Sequence, residues 1–210
     1  MPYRSEAVEK YLADASAGRP TPGGGSASAM AGAVGAAMAC MAANFTVGKK
    51  KFKDVWPQVG ELLAKCSEAR DKLLQFADDD VAAYAHVARA YGMPKESPEE
   101  KSARAAAIQG ALKVAMATPL KTFQTCAGAL LVFEELADLA NPNLISDVGV
   151  AAALVLGALE GAQLNVEINL GFIKDEDLVA ATRAQLEQAG PSAREAARKT
   201  LDKVYERITQ

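Results

Sequence analysis

Apolar residues recur at helical spacing over most of this chain and rarely alternate with polar ones. Residues 5–15 read as a short amphipathic helix with Val8, Tyr11 and Leu12 on one face, Ser5 as its cap and Glu6 in its first turn. Residues 55–91 read as a long helix, broken or kinked near Trp56-Pro57. Its apolar stripe runs through Leu62, Leu63, Cys66, Leu73, Leu74, Ala77, Val81, Tyr84 and Ala88. Ser97-Pro98-Glu99-Glu100 is a helix start, a cap followed by proline at the first position. That helix is expected over 98–118, with Pro119 kinking or ending it, and 120–140 forms another apolar helix. A helix over 146–170 follows. Residues 175–210 are amphipathic and charged, with a break at Gly190-Pro191, and cover the core. No strand pattern, repeat or linker appears, so the expectation is one all-α domain over 1–210, a single-domain bundle of long helices.

The stretch 20–52 differs from the rest. Pro20 and Pro22 stop any incoming helix, and Gly23, Gly24 and Gly25 leave the main chain bare. A helix then opens with Ser26 or Ser28 as cap, and its unpaired N–H groups suit an anion or a carbonyl oxygen. Ala27, Ala31, Gly35, Ala39 and Ala43 form an i+4 row of small residues, which places this helix at the centre of the bundle. The run is long enough for a membrane span, but Leu and Ile are absent from Ala27 to Ala43, which argues for a buried helix instead. The spacing is not that of a phosphate loop. Lys49, Lys50 and Lys51 close the stretch, where cations suit a helix C-terminus.

Composition changes the picture little. Half of the residues are hydrophobic, 23% are charged, and the net charge is −3, which argues against nucleic acid as a partner. The charged N-terminus is unlike a signal peptide. Cys40, Cys66 and Cys126 are odd in number, have no metal-ligand spacing and read as buried thiols, so a cytoplasmic location is expected. His86 is the only histidine, which argues against a histidine-rich metal site and a Ser-His-Asp triad.

Two polar stretches carry candidate chemistry. In Asp78-Asp79-Asp80, neighbours on a helix point about 100° apart, so the three carboxylates have different jobs. Asp79 falls on a polar face with Lys72, Gln75 and His86. Asp80 falls in or beside the apolar stripe, where an unpaired charge is costly and a partner or a purpose is needed. In 141–150, NPNLISDVGV, a turn offers Asn143, Ser146 and Asp147 as caps. Asp147 and Asn165 share a face of the next helix but lie about 27 Å apart, so they cannot serve one small-molecule site within one subunit. Asn165 reads as structural, bonding across a helix pair, unless a symmetry mate brings it to another site.

Several segments together resemble the cyclodeaminase/cyclohydrolase family of folate enzymes. Pro22-Gly23-Gly24-Gly25-Ser26, the small residues Ala31, Gly32, Ala33 and Gly35, and the run from Asn44 to Phe52 match its signature in order. Asp78 to Tyr84 resembles its acidic segment, with Asp80 at the position kept acidic. Residues 141–150 resemble its second signature, Leu144 standing where a smaller residue is common. The resemblance implies a homodimer that interconverts 5,10-methenyltetrahydrofolate and 10-formyltetrahydrofolate with no metal, cofactor or membrane. It implies Asp80 and Asp147 as catalytic or pterin-anchoring carboxylates. Pro22, Gly23, Gly24, Gly25, Ser26, Asn44, Asn143 and Ser146 would line the folate site. Lys49, Lys50 and Lys51 would supply at least one folate contact, with Lys49 the candidate catalytic lysine. Two rival readings stand beside this one: release of ammonia from 5-formiminotetrahydrofolate, and a non-catalytic folate-binding helical dimer.

Overall fold

A computed structural model describes residues 2–209. Six α-helices, joined by short turns, account for most of them. These are α1 (Val8–Ser16), α2 (Gly24–Asn44), α3 (Trp56–Tyr91), α4 (Pro98–Leu139), α5 (Ile145–Leu170) and α6 (Glu176–Ile208). Short 3-10 turns precede α1, α3 and α5. Helix α2 sits in the middle, packed on α3 and α5; α4 bridges those two, and α6 covers α4 and α5. The fold is all-α, as the periodicity predicts.

The reason α2 is central is the near absence of side chains along it. A Cβ placed on Gly35 would sit 2.7 Å from Val155 Cγ2 and 3.0 Å from the Ala151 carbonyl, so α5 lies directly on its backbone. A Cβ on Gly32 would sit 3.1 Å from Leu73 of α3 and 3.3 Å from Ala158 of α5. The predicted i+4 row behaves differently at its two ends. Each step of four residues turns by about 40° on a 3.6-residue helix, so the row drifts around the cylinder. Ala27 is exposed and Ala31 half-buried, whereas Ala39 and Ala43 are fully buried.

Three boundaries differ from the expectation. Helix α3 begins at Trp56 with Pro57 in its first turn, where a missing N–H costs nothing, so there is no kink. Pro119 and Pro191 lie inside unbroken helices. Pro119 is buried, and packing on both sides of it outweighs one lost backbone bond. Gly190, beside Pro191, packs close to Phe123, its Cβ position lying 3.4 Å from the ring.

The expected caps are partly made. Ser97 and Glu100 form a full capping box on α4. Helix α1 instead starts after Ala7, and neither Ser26 nor Ser28 caps α2, whose cap is Gly23. Asn143, Ser146 and Asp147 do not cap α5; Asn141 caps the turn before it, accepting from the Asn143 N–H at 3.1 Å. Tyr11 is buried, but Val8 and Leu12 face water, so α1 has a narrower apolar side than its sequence suggests. All three cysteines are buried free thiols. Helix α2 and the segment Pro142–Leu170 are both long and apolar enough to cross a bilayer, and about half of each is buried in the bundle.

Candidate active site

The three aspartates of α3 do take three partners. Asp78 accepts from the Tyr3 N–H at 2.6 Å, Asp79 from Gln75 Nε2 at 2.7 Å, and Asp80 Oδ2 from the Ser26 N–H at 2.9 Å. The last bond draws α3 onto the first turn of α2. A Cβ on Gly25 would sit 2.7 Å from Asp80 Cγ and 2.9 Å from Oδ2, so the carboxylate occupies the space that any other residue would fill. Asn165 of α5 approaches the same turn, its Nδ2 lying 3.1 Å from where a Gly24 Cβ would stand. Thr21-Pro22, just before the turn, is a cis peptide.

Asp80, Asn165 and Gly23 to Gly25 line one cavity of about 470 Å³. Tyr84 and Tyr91 of α3 and Phe172, just after α5, add three aromatic side chains, each more than a third exposed. Among the described residues that line the cavity there is no lysine, arginine or histidine. Burial raises the Asp80 pKa above the usual carboxylate range, and the Ser26 N–H partly offsets the rise by favouring the charged form. Gly24 and Gly25 precede the first intrahelical bond of α2, Ala27 N–H to the Gly23 carbonyl, so their N–H groups have no partner within the helix. Pro119 leaves the Ala115 carbonyl without its donor four residues on, and Ala115 lines the same cavity.

The remaining predicted residues lie at the other end of α2. Asn44 is its last residue, and Lys49, Lys50 and Lys51 follow the sharp turn at Gly48, whose φ of +79° suits glycine. All three lysines are exposed, with Lys51 Nζ 5.6 Å from the centre of the Phe52 ring. Asn141 stitches this turn to the start of α5: its N–H donates to Thr46 Oγ1 at 2.8 Å and its side chain to the Phe45 carbonyl at 3.3 Å. Asn143 and Ser146 are exposed there, and Asp147, half-buried, is in the first turn of α5.

The predicted site residues therefore form two groups, not one. Pro22 to Ser26 meet Asp80 at one end; Asn44, the lysines, Asn143, Ser146 and Asp147 collect at the other. The ends are about 30 Å apart along the 21 unbroken residues of α2. Asp80 and Asp147 do not meet within one chain. Asn165, read from sequence as a structural residue, stands in the Asp80 cavity and bonds back to its own helix, Nδ2 to the Gly161 carbonyl at 2.7 Å. Between the two ends, α2 and α5 turn an apolar face to water. Val34 and Phe45 on one side and Val150, Leu164 and Ile168 on the other are each about half exposed or more.

Residues 7–188, which hold both groups, match the family described as formiminotransferase-cyclodeaminase. The chain belongs to that family. Methenyltetrahydrofolate cyclohydrolase of Methylorubrum extorquens is 40% identical to it over 183 residues, 87% of this chain and 88% of that protein. Formimidoyltransferase-cyclodeaminase of Rattus norvegicus is 32% identical over 85% of this chain, which spans 33% of that longer protein. Formiminotetrahydrofolate cyclodeaminase from Thermotoga maritima, in its crystal structure, superposes with a TM-score of 0.87 at 30% identity, covering 97% of this chain and 98% of that one. The cyclodeaminase family match thus spans every residue of the two groups and the whole bundle, apart from the C-terminal part of α6.

Two consequences are measurable. Gly25→Ala displaces the Asp80 carboxylate, so turnover should fall by roughly a hundredfold, as expected for a reacting group moved by about 1 Å, while the helical circular dichroism is retained. Asp80→Asn should raise the melting temperature at neutral pH. A buried carboxyl with a raised pKa binds its proton more tightly folded than unfolded, so it removes stability as pH rises from the unfolded carboxylate value through the folded one. The asparagine does not titrate, and the gain over wild type should vanish in acid.

Proposed function

We propose that this protein hydrolyses 5,10-methenyltetrahydrofolate reversibly to 10-formyltetrahydrofolate. The observation that carries this reading is the Asp80 cavity itself: one buried carboxylate, no basic side chain, bare glycine backbone and three aromatic rings. The methenyl substrate is a cation with charge spread over a carbon between two nitrogens. A cavity with a lone negative group and aromatic walls suits it, and the flat pterin ring suits Tyr84, Tyr91 and Phe172.

The chemistry follows from those groups. Water adds to the amidinium carbon, and Asp80, ionised, takes the proton released from it. The product is a neutral tetrahedral adduct with a new C–O bond. One C–N bond then breaks, the departing nitrogen takes the proton back from Asp80, and the adduct's hydroxyl releases its proton to solvent as its oxygen becomes the formyl carbonyl. Charge and atoms balance with one proton released overall, because the substrate was a cation. The raised pKa of Asp80, caused by burial, favours its taking up the proton that a shuttle carries. The free N–H groups of Gly24 and Gly25 favour the adduct's oxygen as it gives up its proton and gains negative charge on the way to the formyl carbonyl. The electrophile is already cationic, so the step calls for no metal, Lewis acid or redox cofactor.

The lysine end completes this picture in a homodimer. Folate carries glutamate carboxylates, which Lys49, Lys50 and Lys51 suit as point charges. One chain holds its lysines about 30 Å from its own Asp80, so the partner's copy has to supply them. Antiparallel pairing across the apolar α2–α5 face would bring Asp147, Asn143 and the lysines of one subunit to the Asp80 cavity of the other. The cysteines, free and buried, fit a cytoplasmic enzyme.

The runner-up is cyclodeamination of 5-formiminotetrahydrofolate. The Thermotoga maritima chain favours it, because a chain of this size with this fold bears that name. The higher identity over nearly the full length of the cyclohydrolase tips the balance the other way.

Mixing the protein with 5,10-methenyltetrahydrofolate should accelerate loss of the methenyl absorbance and yield 10-formyltetrahydrofolate. No acceleration, with ammonia released from 5-formiminotetrahydrofolate, would hand the assignment to the runner-up. The shared site has its own test. Asp80→Asn and Asp147→Asn should each abolish turnover, and an equimolar, reassorted mixture should regain about a quarter of it, since half the dimers are mixed and each holds one intact site. A mixture as inactive as its parts would overturn the shared site, and an active Asp147→Asn protein would remove Asp147 from the chemistry.

A further inference from the structure

Two tyrosines near the N-terminus bond residues beside Asp80, Tyr11 to Ser26 and Tyr3 to Asp78, and have no part in the reaction above. Tyr11 of α1 is 6% exposed, and its hydroxyl lies 3.2 Å from Ser26 Oγ. Ser26, fully buried, is the residue whose N–H holds Asp80. Tyr3, in the 3-10 turn before α1, takes the other side: its N–H donates to Asp78 Oδ1 at 2.6 Å, two residues before Asp80. Arg4 Nε stands 3.6 Å from Asp78 Oδ2, a buried oxygen that accepts no hydrogen bond, and Arg4 also bonds Gln75 one turn away on α3. The rings of Tyr3 and Tyr11 meet edge to face, centroids 5.2 Å apart at 89°, so the two attachments form one continuous piece.

The N-terminal segment thus grips both partners of the Ser26–Asp80 bond, α2 through Tyr11 and α3 through Tyr3 and Arg4. We propose that it is a clamp on the active centre, and that Tyr11 is a positioning residue for Asp80, acting through Ser26. This rests on Asp80 being the reacting carboxylate. The bond in question joins two helix segments that approach over bare glycine, so no side-chain packing at Gly25 fixes their separation. Hydrogen bonds from a third element do so instead, and a shift of a few tenths of an ångström at Ser26 is transmitted directly to the carboxylate. Burial, with the negative charge of Asp80, raises the Tyr11 pKa, so the hydroxyl works as a neutral hydrogen-bonding group. The other ionisable groups facing Asp80 are Tyr84 and Tyr91 of its own helix. The cavity linings from α2, α4 and α5 hold glycines, Leu112, Ala115, Asn165, Ile168 and Asn169, none of which titrates.

Tyr11→Phe tests this, since it removes the hydroxyl and keeps the ring. Two readouts are needed on the full chain: folate kinetics, and the carboxyl titration of Asp80 by NMR on protein labelled with 13C-carboxyl aspartate, the signal assigned by its loss in Asp80→Asn. The expected result is a kcat lowered about tenfold with KM within about twofold, the pattern of a misplaced reacting group. The Asp80 titration should move to higher pH, because a loosened Ser26 N–H gives up its preference for the charged form while the phenyl ring keeps the site buried. Ser26→Ala removes the other half of the same bond and should move the signal the same way, which covers a Tyr11→Phe protein that fails to fold. An Asp80 signal titrating as in wild type in the folded variants would overturn the clamp. If wild type turned over neither folate, the functional reading would fail alone, and a displaced Asp80 titration would still support the clamp.

Discussion

Along α2 the backbone itself is the packing surface. Gly25, Gly32 and Gly35 leave gaps that Asp80, Leu73, Ala158 and Val155 fill, and α5 answers with Gly161, whose own Cβ would collide with Ser28 Oγ. Two long helices can therefore lie against α2 at once, closer than ordinary side chains allow. That closeness shapes the candidate site. A carboxylate on α3 reaches the first turn of α2 only because nothing projects from Gly25, and Asn165 comes close to it from α5 where nothing projects from Gly24. The bare helix that organises the core also brings three elements together at its N-terminus.

Asp80 is exceptional among the carboxyls of this chain. Asp14, Glu68, Asp71, Asp175 and Glu195 are pulled below the usual range by a neighbouring lysine or arginine, and Glu99 by backbone and Ser97 donors near a helix start. Asp80 is instead pushed up, because it is buried with one amide donor and no cation. The fold bears the cost of that charge without using it to join elements by an ion pair. A site kept short of positive charge suits the cationic ligand proposed above, whose binding would offset that cost.

Much of this was legible from the residues. The pattern of α3 separated the three aspartates correctly: Asp79 bonds along the polar face to Gln75, and Asp80 turns inward. The bare turn and the centrality of α2 followed from Gly23 to Gly25 and the small residues behind them. Other features were hidden for physical reasons. Tyr84 and Ala88 keep the helical period of a core stripe, so the sequence does not show that this end of the stripe, continued to Tyr91, faces a cavity. Asn165 follows the same rule as any helix-face asparagine until α2 is laid beside it. Local preference kinks or ends a helix at Pro119 and breaks one at Gly190-Pro191, but packing overrides it: Pro119 itself is buried, and beside the exposed Pro191 it is Gly190 that packs close to Phe123. Asn141 drew no notice beside Asn143, although the cap and both stitching bonds are its own.

The family signature occupies both ends of α2, and a rigid helix fixes their separation at about 30 Å. No bending of one chain can bring the lysines to Asp80. In the proposed dimer the constraint becomes geometric. A two-fold axis that exchanges the ends of α2 with those of its mate has to cross near the helix midpoint, residue 34. Val34 is there, an apolar side chain 48% exposed on a helix that is otherwise mostly buried. The apolar face runs from this point in both directions, to Phe45 on α2 and along α5 to Val150 and Ile168, so it covers the whole distance between the two polar groups. Pairing of that face satisfies the burial of apolar surface and the meeting of the two signatures with one symmetry operation. A face displaced by even two helical turns would bury a similar area and leave each Asp80 cavity about 10 Å or more from the lysines meant for it. In such a dimer the placement of Val34 and its neighbours would constrain catalysis as much as association.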